Sequence, residues 1–242
     1  MNKDVVRELA PTGVLRAGIN LSNFLLVTGK TATGDPVGVS PDMAREIATR
    51  LGVPLTYVTY PNPGALADHA ETGAWDVGLI GAEPLRAAKI AFSPAYAEIE
   101  ATYLVPAGSA LTTIADIDQP GNRIAVTART AYGNWLVPNI RHATLVQTDT
   151  IDSAAEAFVR DKLDALAGLR PRLLSDVKKW PGAKILDGQF TAVQQAVGTA
   201  RKNIAGAAFL RDFVEQAKAS GIVASLIARH QVVGLSVAPA AR

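Results

Sequence analysis

The chain has 242 residues, of which 48% are hydrophobic and 19% are charged, and its formal net charge is +2. This length accommodates one large domain or two small ones, and the composition is too apolar for a disordered chain. The 24 basic and 22 acidic residues nearly balance, which gives no bulk attraction to nucleic acid. We therefore expect a folded protein with no nucleic-acid partner.

The sequence contains no cysteine, which excludes disulfides, thiolate metal sites and cysteine nucleophiles. No apolar run approaches the roughly 18 residues of a membrane helix, so we expect no direct membrane insertion. The opening segment, MNKDVVRELAPTG, lacks the apolar core of a signal peptide. Two locations stay open: periplasmic if a leader was removed, and cytoplasmic if Met1 is the native start.

The first part of the chain alternates strand and helix patterns. The predicted elements are strands over 14–20, 54–60 and 75–81 and helices over 38–53 and 65–74. In the first helix Ser40 is the expected N-cap, Pro41 takes the first helical position and Gly52 ends the helix. The second helix is weaker and is expected to end near Gly73.

The same alternation resumes further along the chain. The predicted elements are strands over 122–128, 143–149 and 163–168 and helices over 130–139, 150–161 and 170–180. Segments 98–110 and 190–200 are rich in β formers, and two helices over 205–221 and 222–230 close the chain. Two such blocks predict two α/β lobes, each with a parallel sheet. We expect a discontinuous first lobe, 1–104 plus 197–242, and an inserted second lobe, 105–196.

Signatures of enzymes are scarce in this sequence. It has no G-x-G-x-x-G fingerprint and no Walker loop, which argues against a nucleotide site. His69, His142 and His230 are scattered, and we interpret them as surface or helix-end histidines. We therefore predict no catalytic residue, no metal site and no cofactor.

Polar residues follow several of the predicted strands. In open α/β sheets, ligands bind beyond the carboxyl ends of the strands, where helix N-termini offer free N–H groups. An arginine there adds a fork that matches a carboxylate. The candidate ligand residues at these strand ends are Asn20, Asn23 and Phe24; Gly81, Ala82 and Arg86; Arg129, Thr130 and Tyr132; and Gly168 and Arg170.

Each candidate also has a structural interpretation that the residues leave open. Arg86 follows Glu83 by three positions and would then form a solvated ion pair on a helix. The remaining residues are equally compatible with a helix cap at Thr130, turn formation at Asn20 and Asn23, packing of Tyr132 and Trp135, and an exposed helix start at Arg170.

The segment DVGLIGAEPLRAAKIAFSPAY resembles the signature of the bacterial family 3 extracellular solute-binding proteins. The matching residues are Pro84, Arg86, Phe92, Ser93, Pro94 and Tyr96. The resemblance covers nearly the whole chain, including Asp42 and Met43 in the first helix and the later segment KLDALAG. It implies an α/β, type II periplasmic-binding-protein fold, in which two lobes are joined by a two-strand hinge with a ligand cleft between them.

The resemblance also implies a function. In amino-acid binders of this family the arginine of the turn grips the ligand's α-carboxylate, and Arg86 takes that position. Backbone N–H groups near Gly81, Thr130 and Ala131 would assist. The implied protein is a monomer without enzyme activity, which captures a small carboxylate-bearing ligand by lobe closure and delivers it to an ABC transporter permease. The hinge is expected near 104–107 and 195–198, where Gln194 either reaches the cleft or pairs within its strand.

The sequence departs from the family pattern at three places. Glu83 replaces a threonine of the turn, Arg129 replaces a glycine, and Leu169 stands where an aspartate would hold the ligand's α-ammonium group. Burying an ammonium group against leucine without an anion is costly. We hypothesise a carboxylic acid without that ammonium group, or a ligand with a second anionic group facing Arg170 or Arg129.

Two further functions stay open. The chain would also suit a ligand sensor without a transport role. A cyclohexadienyl-dehydratase-like enzyme is less favoured, because such an enzyme needs an acid in the region where this sequence offers Leu169 and Arg170.

Overall fold

A computed structural model describes residues 3–241 as an α/β structure. Its strands are β1 (Leu15–Asn20), β2 (Gly29–Lys30), β3 (Pro36–Val37), β4 (Leu55–Tyr60), β5 (Val77–Ala82), β6 (Ile90–Val105), β7 (Arg123–Thr127), β8 (Thr144–Thr148), β9 (Ala165–Leu169), β10 (Lys184–Ile185), β11 (Thr191–Ala200) and β12 (Ser236–Val237). Its α-helices are α1 (Lys3–Leu9), α2 (Val39–Leu51), α3 (Pro63–Asp68), α4 (Pro84–Ala87), α5 (Ala131–Asn139), α6 (Ile151–Arg160), α7 (Arg170–Asp176), α8 (Ile204–Ala219) and α9 (Ile222–Arg229). Met1, on which one of the two predicted locations depends, lies outside the described residues.

The described chain forms two compact units. The discontinuous unit comprises the residues up to Glu98 and those from Gln194 onward, and the inserted unit comprises Ile99–Val193. Strands β6 and β11 each run from one unit into the other. The predicted lobe boundaries at 104 and 197 lie within these same two strands and remain predictions.

The discontinuous unit has the strand order β4-β1-β5-β11-β6. Strand β1 pairs in parallel with β4 and β5, so the carboxyl ends of these three strands lie at one edge of the sheet. Helix α2 buries Met43, Ile47 and Leu51, which form the apolar stripe expected of an amphipathic helix. Gly52 ends the helix in the left-handed conformation, as the sequence predicted.

The start of α2 differs from the prediction, because Gly38 and not Ser40 is the N-cap. A Cβ atom on Gly38 would lie 2.2 Å from the carbonyl oxygen of Leu26, so only glycine fits there. Ser40 lies instead inside the helix, where its buried hydroxyl is 3.0 Å from the hydroxyl of Tyr96. The weaker helix, α3, is also shorter than predicted, since it ends at Asp68 and not near Gly73.

The inserted unit has the strand order β6-β9-β7-β8. Strand β9 pairs antiparallel with β6, whereas β7 pairs in parallel with both β8 and β9. Tyr103, Ile124, Val126 and Leu136 are buried in its core. Full burial of such a side chain contributes about 1.5–3 kcal/mol. Of the segment 98–110, the residues up to Val105 form the second part of a longer strand, β6.

The helices of residues 3–241 include none that is long and apolar enough to cross a membrane.

Candidate functional site

Arg86 lies just beyond the buried strand β5. Glu83 caps α4, Pro84 occupies its first turn, and Arg86 follows within the same turn. The guanidinium group donates a hydrogen bond of 2.6 Å from Nη1 to the carbonyl oxygen of Gly81. Its Nε atom lies 3.4 Å from Oε1 of Glu83, and the two side chains are 4% and 6% exposed. The expected ion pair with Glu83 therefore forms, but it is buried and not solvated.

The Glu83 carboxylate interacts with the backbone as well as with Arg86. Its two carboxylate oxygens accept 2.9 Å hydrogen bonds from the backbone N–H groups of Leu85 and Arg86. These bonds cap the short helix and help to compensate the cost of burying a carboxylate. The turn thus presents one cation and one anion at the end of β5, and the guanidinium group is held in a fixed position.

Gln194 lies beside this turn, on the neighbouring strand β11. It is the antiparallel partner of Ala82, and Gln195 is the partner of Gly81. The side chain of Gln194 donates a 2.8 Å hydrogen bond from Nε2 to Oε1 of Glu98 on β6. The sequence reasoning missed Glu98. The alternation of Glu98 and Glu100 along an otherwise apolar strand was the available signal, since such residues share one face.

The turn after β1 holds three of the predicted residues. The side-chain oxygen of Asn20 accepts hydrogen bonds from the backbone and the hydroxyl of Ser22, and that of Asn23 accepts one from the backbone of Leu25. These are the bonds of turn-forming asparagines, in agreement with the structural interpretation. Phe24 follows Asn23 directly and is 40% exposed. A ligand role for these residues remains a prediction.

In the inserted unit, α5 begins directly after β7. Thr130 is its N-cap, because its hydroxyl oxygen accepts a 3.0 Å hydrogen bond from the backbone of Gly133. Arg129 is exposed and has a φ of 60°, the left-handed region that favours glycine. Ala131 is half-buried and opens the helix. Tyr132 belongs to the buried core, and burial raises the pKa of its hydroxyl above the ordinary value.

Arg170 opens α7, directly after β9. Its Nε atom donates a 2.5 Å hydrogen bond to Oε2 of Glu100, and Nη2 donates to the carbonyl oxygen of Gly188. Arg170 is therefore a half-buried residue paired within its own unit, not an exposed helix start. A ligand anion would have to compete with Glu100, which sequence reasoning also missed. Gly168, the partner of Thr102 on β6, is buried two residues earlier.

The histidines lie apart from these groups. The His69 ring contacts the carbonyl oxygen of Ala65 at 2.8 Å, and the His230 ring at the end of α9 contacts the Asp42 carboxylate at 2.8 Å. Within residues 3–241 no group of three or more histidine, aspartate or glutamate side chains is arranged to hold a metal ion.

Each unit gathers its own subset of the predicted residues. The discontinuous unit places Asn20, Gly81, Ala82, Arg86 and Gln194 at one edge of its sheet. The inserted unit places Arg129, Thr130, Gly168 and Arg170 where the parallel strands β7 and β9 end. Two α/β units connected by two strands, with polar groups at the carboxyl ends of parallel strands, define a type II periplasmic-binding-protein fold.

Comparison with protein families supports the same assignment. The family model of the bacterial extracellular solute-binding proteins, family 3, matches residues 19–232. The chain belongs to this family, as its resemblance predicted. A comparison with curated proteins finds no match.

Solved structures of the same fold cover almost the whole chain. A mutant of ArgBP from T. maritima has a TM-score of 0.73 at 24% identity, over 94% of this chain and 99% of that one. A binding component of an ABC transporter from Wolinella succinogenes, complexed with lysine, has a TM-score of 0.74 at 21% identity, over 90% and 95%. The ancestral amino acid-binding protein AncCDT-1, a precursor of cyclohexadienyl dehydratase, has a TM-score of 0.73 at 21% identity, over 93% and 98%. At these identities the likeness concerns the fold alone.

Proposed function

We propose that this protein captures a small carboxylate-bearing ligand, amino acid-like or an organic acid, and that Arg86 binds the carboxylate. The observation that carries the proposal is the buried guanidinium group at the end of β5, fixed by the carbonyl oxygen of Gly81. A fixed guanidinium group loses little side-chain entropy when it binds, and its planar fork matches a carboxylate. Hydrogen bonds to charged groups contribute about 1.5–3 kcal/mol each.

The transport role is proposed on the strength of the family. Solute-binding proteins of ABC importers act outside the cytoplasm, so we propose a periplasmic location and an ABC transporter permease as partner. The predicted residues of the inserted unit, chiefly Arg129, Thr130 and Ala131, would add donors to the ligand. Lobe closure about β6 and β11, the lobe boundaries and a monomeric state stay predictions.

Enzyme activity is not part of this proposal. Arg170 near the end of β9 is paired with Glu100, and Leu169 carries no titratable group. A turnover assay with prephenate tests for dehydratase activity. Formation of phenylpyruvate at a rate above that of the buffer would revive the enzyme hypothesis.

Isothermal titration calorimetry tests the proposal. The probes are L-lysine, L-alanine, 6-aminohexanoate, hexanoate and succinate, with hexylamine as the probe that lacks a carboxylate. We expect at least one carboxylate probe to bind, hexylamine to give no heat, and Arg86→Lys to weaken binding at least tenfold because it keeps the charge but removes the fork.

The control is Lys202→Gln, which removes one positive charge from an exposed turn of the same unit. It should leave the Kd unchanged. If no carboxylate probe binds the parent protein, or if Arg86→Lys binds as tightly as the parent, the proposed function fails.

A further inference from the structure

Glu98 differs from the other acidic residues near the two candidate arginines. Its side chain is half-buried on β6, and its carboxylate accepts the 2.8 Å hydrogen bond from Gln194. Glu83 is ion-paired with Arg86, and Glu100 with Arg170. Within the described part of the chain, Glu98 has no ion pair with any lysine, arginine or histidine.

A half-buried carboxylate is stabilised by a cation or by several hydrogen-bond donors. The Gln194 amide is a neutral donor that contacts one oxygen, so it orients the carboxylate without neutralising its charge. An ionised carboxylate has acceptor capacity for about four hydrogen bonds. The partner that best complements Glu98 is therefore a positively charged nitrogen that brings its own N–H donors.

The position of Glu98 relates it to the site at Arg86. Gln194 lies directly opposite Ala82, and the guanidinium group of Arg86 bonds to the preceding residue, Gly81. Strand β11 lies between β5 and β6 in the sheet. Neighbouring strands are about 4.8 Å apart, so the end of β5 and Glu98 are separated by about 10 Å. That backbone separation is short enough for the Arg86 and Glu98 side chains to contact one small molecule, and Glu98 and Gln194 both belong to the discontinuous unit.

We propose that Glu98 is a second ligand-binding residue, which recognises a cationic nitrogen of the molecule whose carboxylate binds Arg86. The ligand is then a zwitterion, with the nitrogen either at the α position or at the far end of the molecule. This inference rests on the proposed function and narrows it, because it excludes the amine-free carboxylic acid that the sequence favoured. Glu98 would supply the anion for the ligand's cationic nitrogen, which the apolar Leu169 cannot supply.

The test compares the parent protein with Glu98→Gln, which keeps the shape and one acceptor oxygen but removes the charge. Hexanoate carries a carboxylate and no cation, L-alanine adds an α-ammonium group, and 6-aminohexanoate adds a terminal one. We expect at least one of the two zwitterions to bind the parent protein at least tenfold more tightly than hexanoate. Glu98→Gln should weaken that zwitterion at least tenfold and change hexanoate less than twofold.

Two further variants separate binding from folding. Glu98→Asp keeps the charge and shortens the side chain by one methylene group, so its affinity should lie between those of the parent and Glu98→Gln. Glu156→Gln removes an exposed charge from α6 in the inserted unit and should bind like the parent. Thermal unfolding midpoints within about 2 °C of the parent would show that Glu98 is not mainly a link between β6 and β11.

The outcomes distinguish this inference from the proposed function. Hexanoate binding as tightly as both zwitterions, or zwitterion affinity unchanged in Glu98→Gln, would overturn the inference and leave the carboxylate site intact. If none of the carboxylate probes binds the parent protein, L-lysine and succinate included, the proposed function fails, and the inference with it.

Discussion

Two arginines follow buried strands in the two units, and the structure uses them differently. Arg86, after β5, has a side chain that is 4% exposed, and its Nε atom lies 3.4 Å from the Glu83 carboxylate. Arg170, after β9, has a side chain that is 25% exposed and contacts Glu100 at 2.5 Å. The first contact is longer than an optimal hydrogen bond, whereas the second is a short, charge-assisted one.

The difference lies in what the acid already binds. Glu83 precedes Arg86 by only three residues in the chain, and its carboxylate oxygens accept hydrogen bonds from the backbone of α4. Glu100 lies on a neighbouring strand, and its carboxylate bonds Arg170 directly. Arg170 thereby ties the start of α7 to β6 and to the segment around Gly188. An arginine beyond a strand end is thus a good candidate ligand residue only when the neighbouring carboxylate already accepts hydrogen bonds from other groups.

Substitution of Arg86 should have the largest effect. Replacing Arg86→Met keeps the apolar stem and removes the charge, which also leaves Glu83 buried without its cation. We expect carboxylate binding to weaken at least about 100-fold, equivalent to about 3 kcal/mol, with a loss of stability as well. Calorimetric titration gives the Kd, and urea unfolding gives the free energy of unfolding.

Arg170→Met is the matched variant in the inserted unit. Because Arg170 is paired with Glu100, this variant should change the Kd less than about fivefold. The reverse pattern, with Arg170→Met abolishing binding and Arg86→Met retaining it, would exchange the roles of the two arginines.

Much of this architecture could be predicted from local sequence. The strands before Arg86 and Arg170 are continuous apolar runs, the helices have a period of 3.6 residues, and Gly52 is a typical helix stop. Such patterns are set by residues close in the chain. They were therefore sufficient to place Arg86 at a strand end and to predict two α/β lobes.

The remaining features depend on contacts between distant segments. Glu100 faces Arg170, and Glu98 faces Gln194, only because β6 lies between β9 and β11 in the sheet. Gly38, and not Ser40, is the helix cap, and the close approach of the Leu26 carbonyl requires glycine there. The strand order and the close approach of distant segments leave no pattern in the neighbouring sequence, so the partners of these residues could not be predicted.

Substitution of Glu83 should have a smaller effect. Glu83→Gln keeps an oxygen for the helix cap and removes the anion beside Arg86, so a ligand carboxylate would meet less repulsion. We expect binding to tighten about three- to tenfold, together with a loss of about 0.5–1 kcal/mol of stability from the weaker cap. Glu71→Gln, which removes an exposed carboxylate 3.7 Å from Lys89, is the charge control for the calorimetry.

If Glu83→Gln weakens the ligand, then Glu83 contacts it favourably and the anion at the turn is part of recognition. Equal weakening in Glu71→Gln would instead indicate a long-range effect of net charge, which added salt should remove.

The pair Arg170–Glu100 should contribute less still. Glu100 is 56% exposed at its side chain, so solvent screens the interaction. A double-mutant cycle with Arg170→Met and Glu100→Gln, followed by urea unfolding, should give a coupling energy of about 0.5–1 kcal/mol. A coupling energy above about 2 kcal/mol would mean that the Arg170–Glu100 pair is as strong as a buried ion pair. The proposed difference between Arg170 and Arg86 would then be wrong.

The smallest effect concerns Asp116, a half-buried carboxylate that caps a short helical turn in the inserted unit. Oδ2 of Asp116 accepts hydrogen bonds of 2.9 and 2.8 Å from the backbone N–H groups of Thr112 and Thr113. These bonds lower the pKa of Asp116 below its usual value. A lowered folded-state pKa means that the stabilisation is fully present above the unfolded-state pKa and is lost as the pH falls through the folded-state pKa.

Asp116→Asn should therefore lower the unfolding midpoint slightly at pH 7, and the gap from the parent should shrink at pH 3. Thermal unfolding at the two pH values measures both gaps, with Asp187→Asn, an exposed aspartate of the same unit, as the control. A gap that is the same at both pH values would mean that the charge of Asp116 contributes nothing to its cap. The Asp116 cap would then depend only on its hydrogen-bonding geometry and not on its charge. The effect on ligand binding that we expect from removing the Glu83 charge would have to come from the burial of Glu83 beside Arg86.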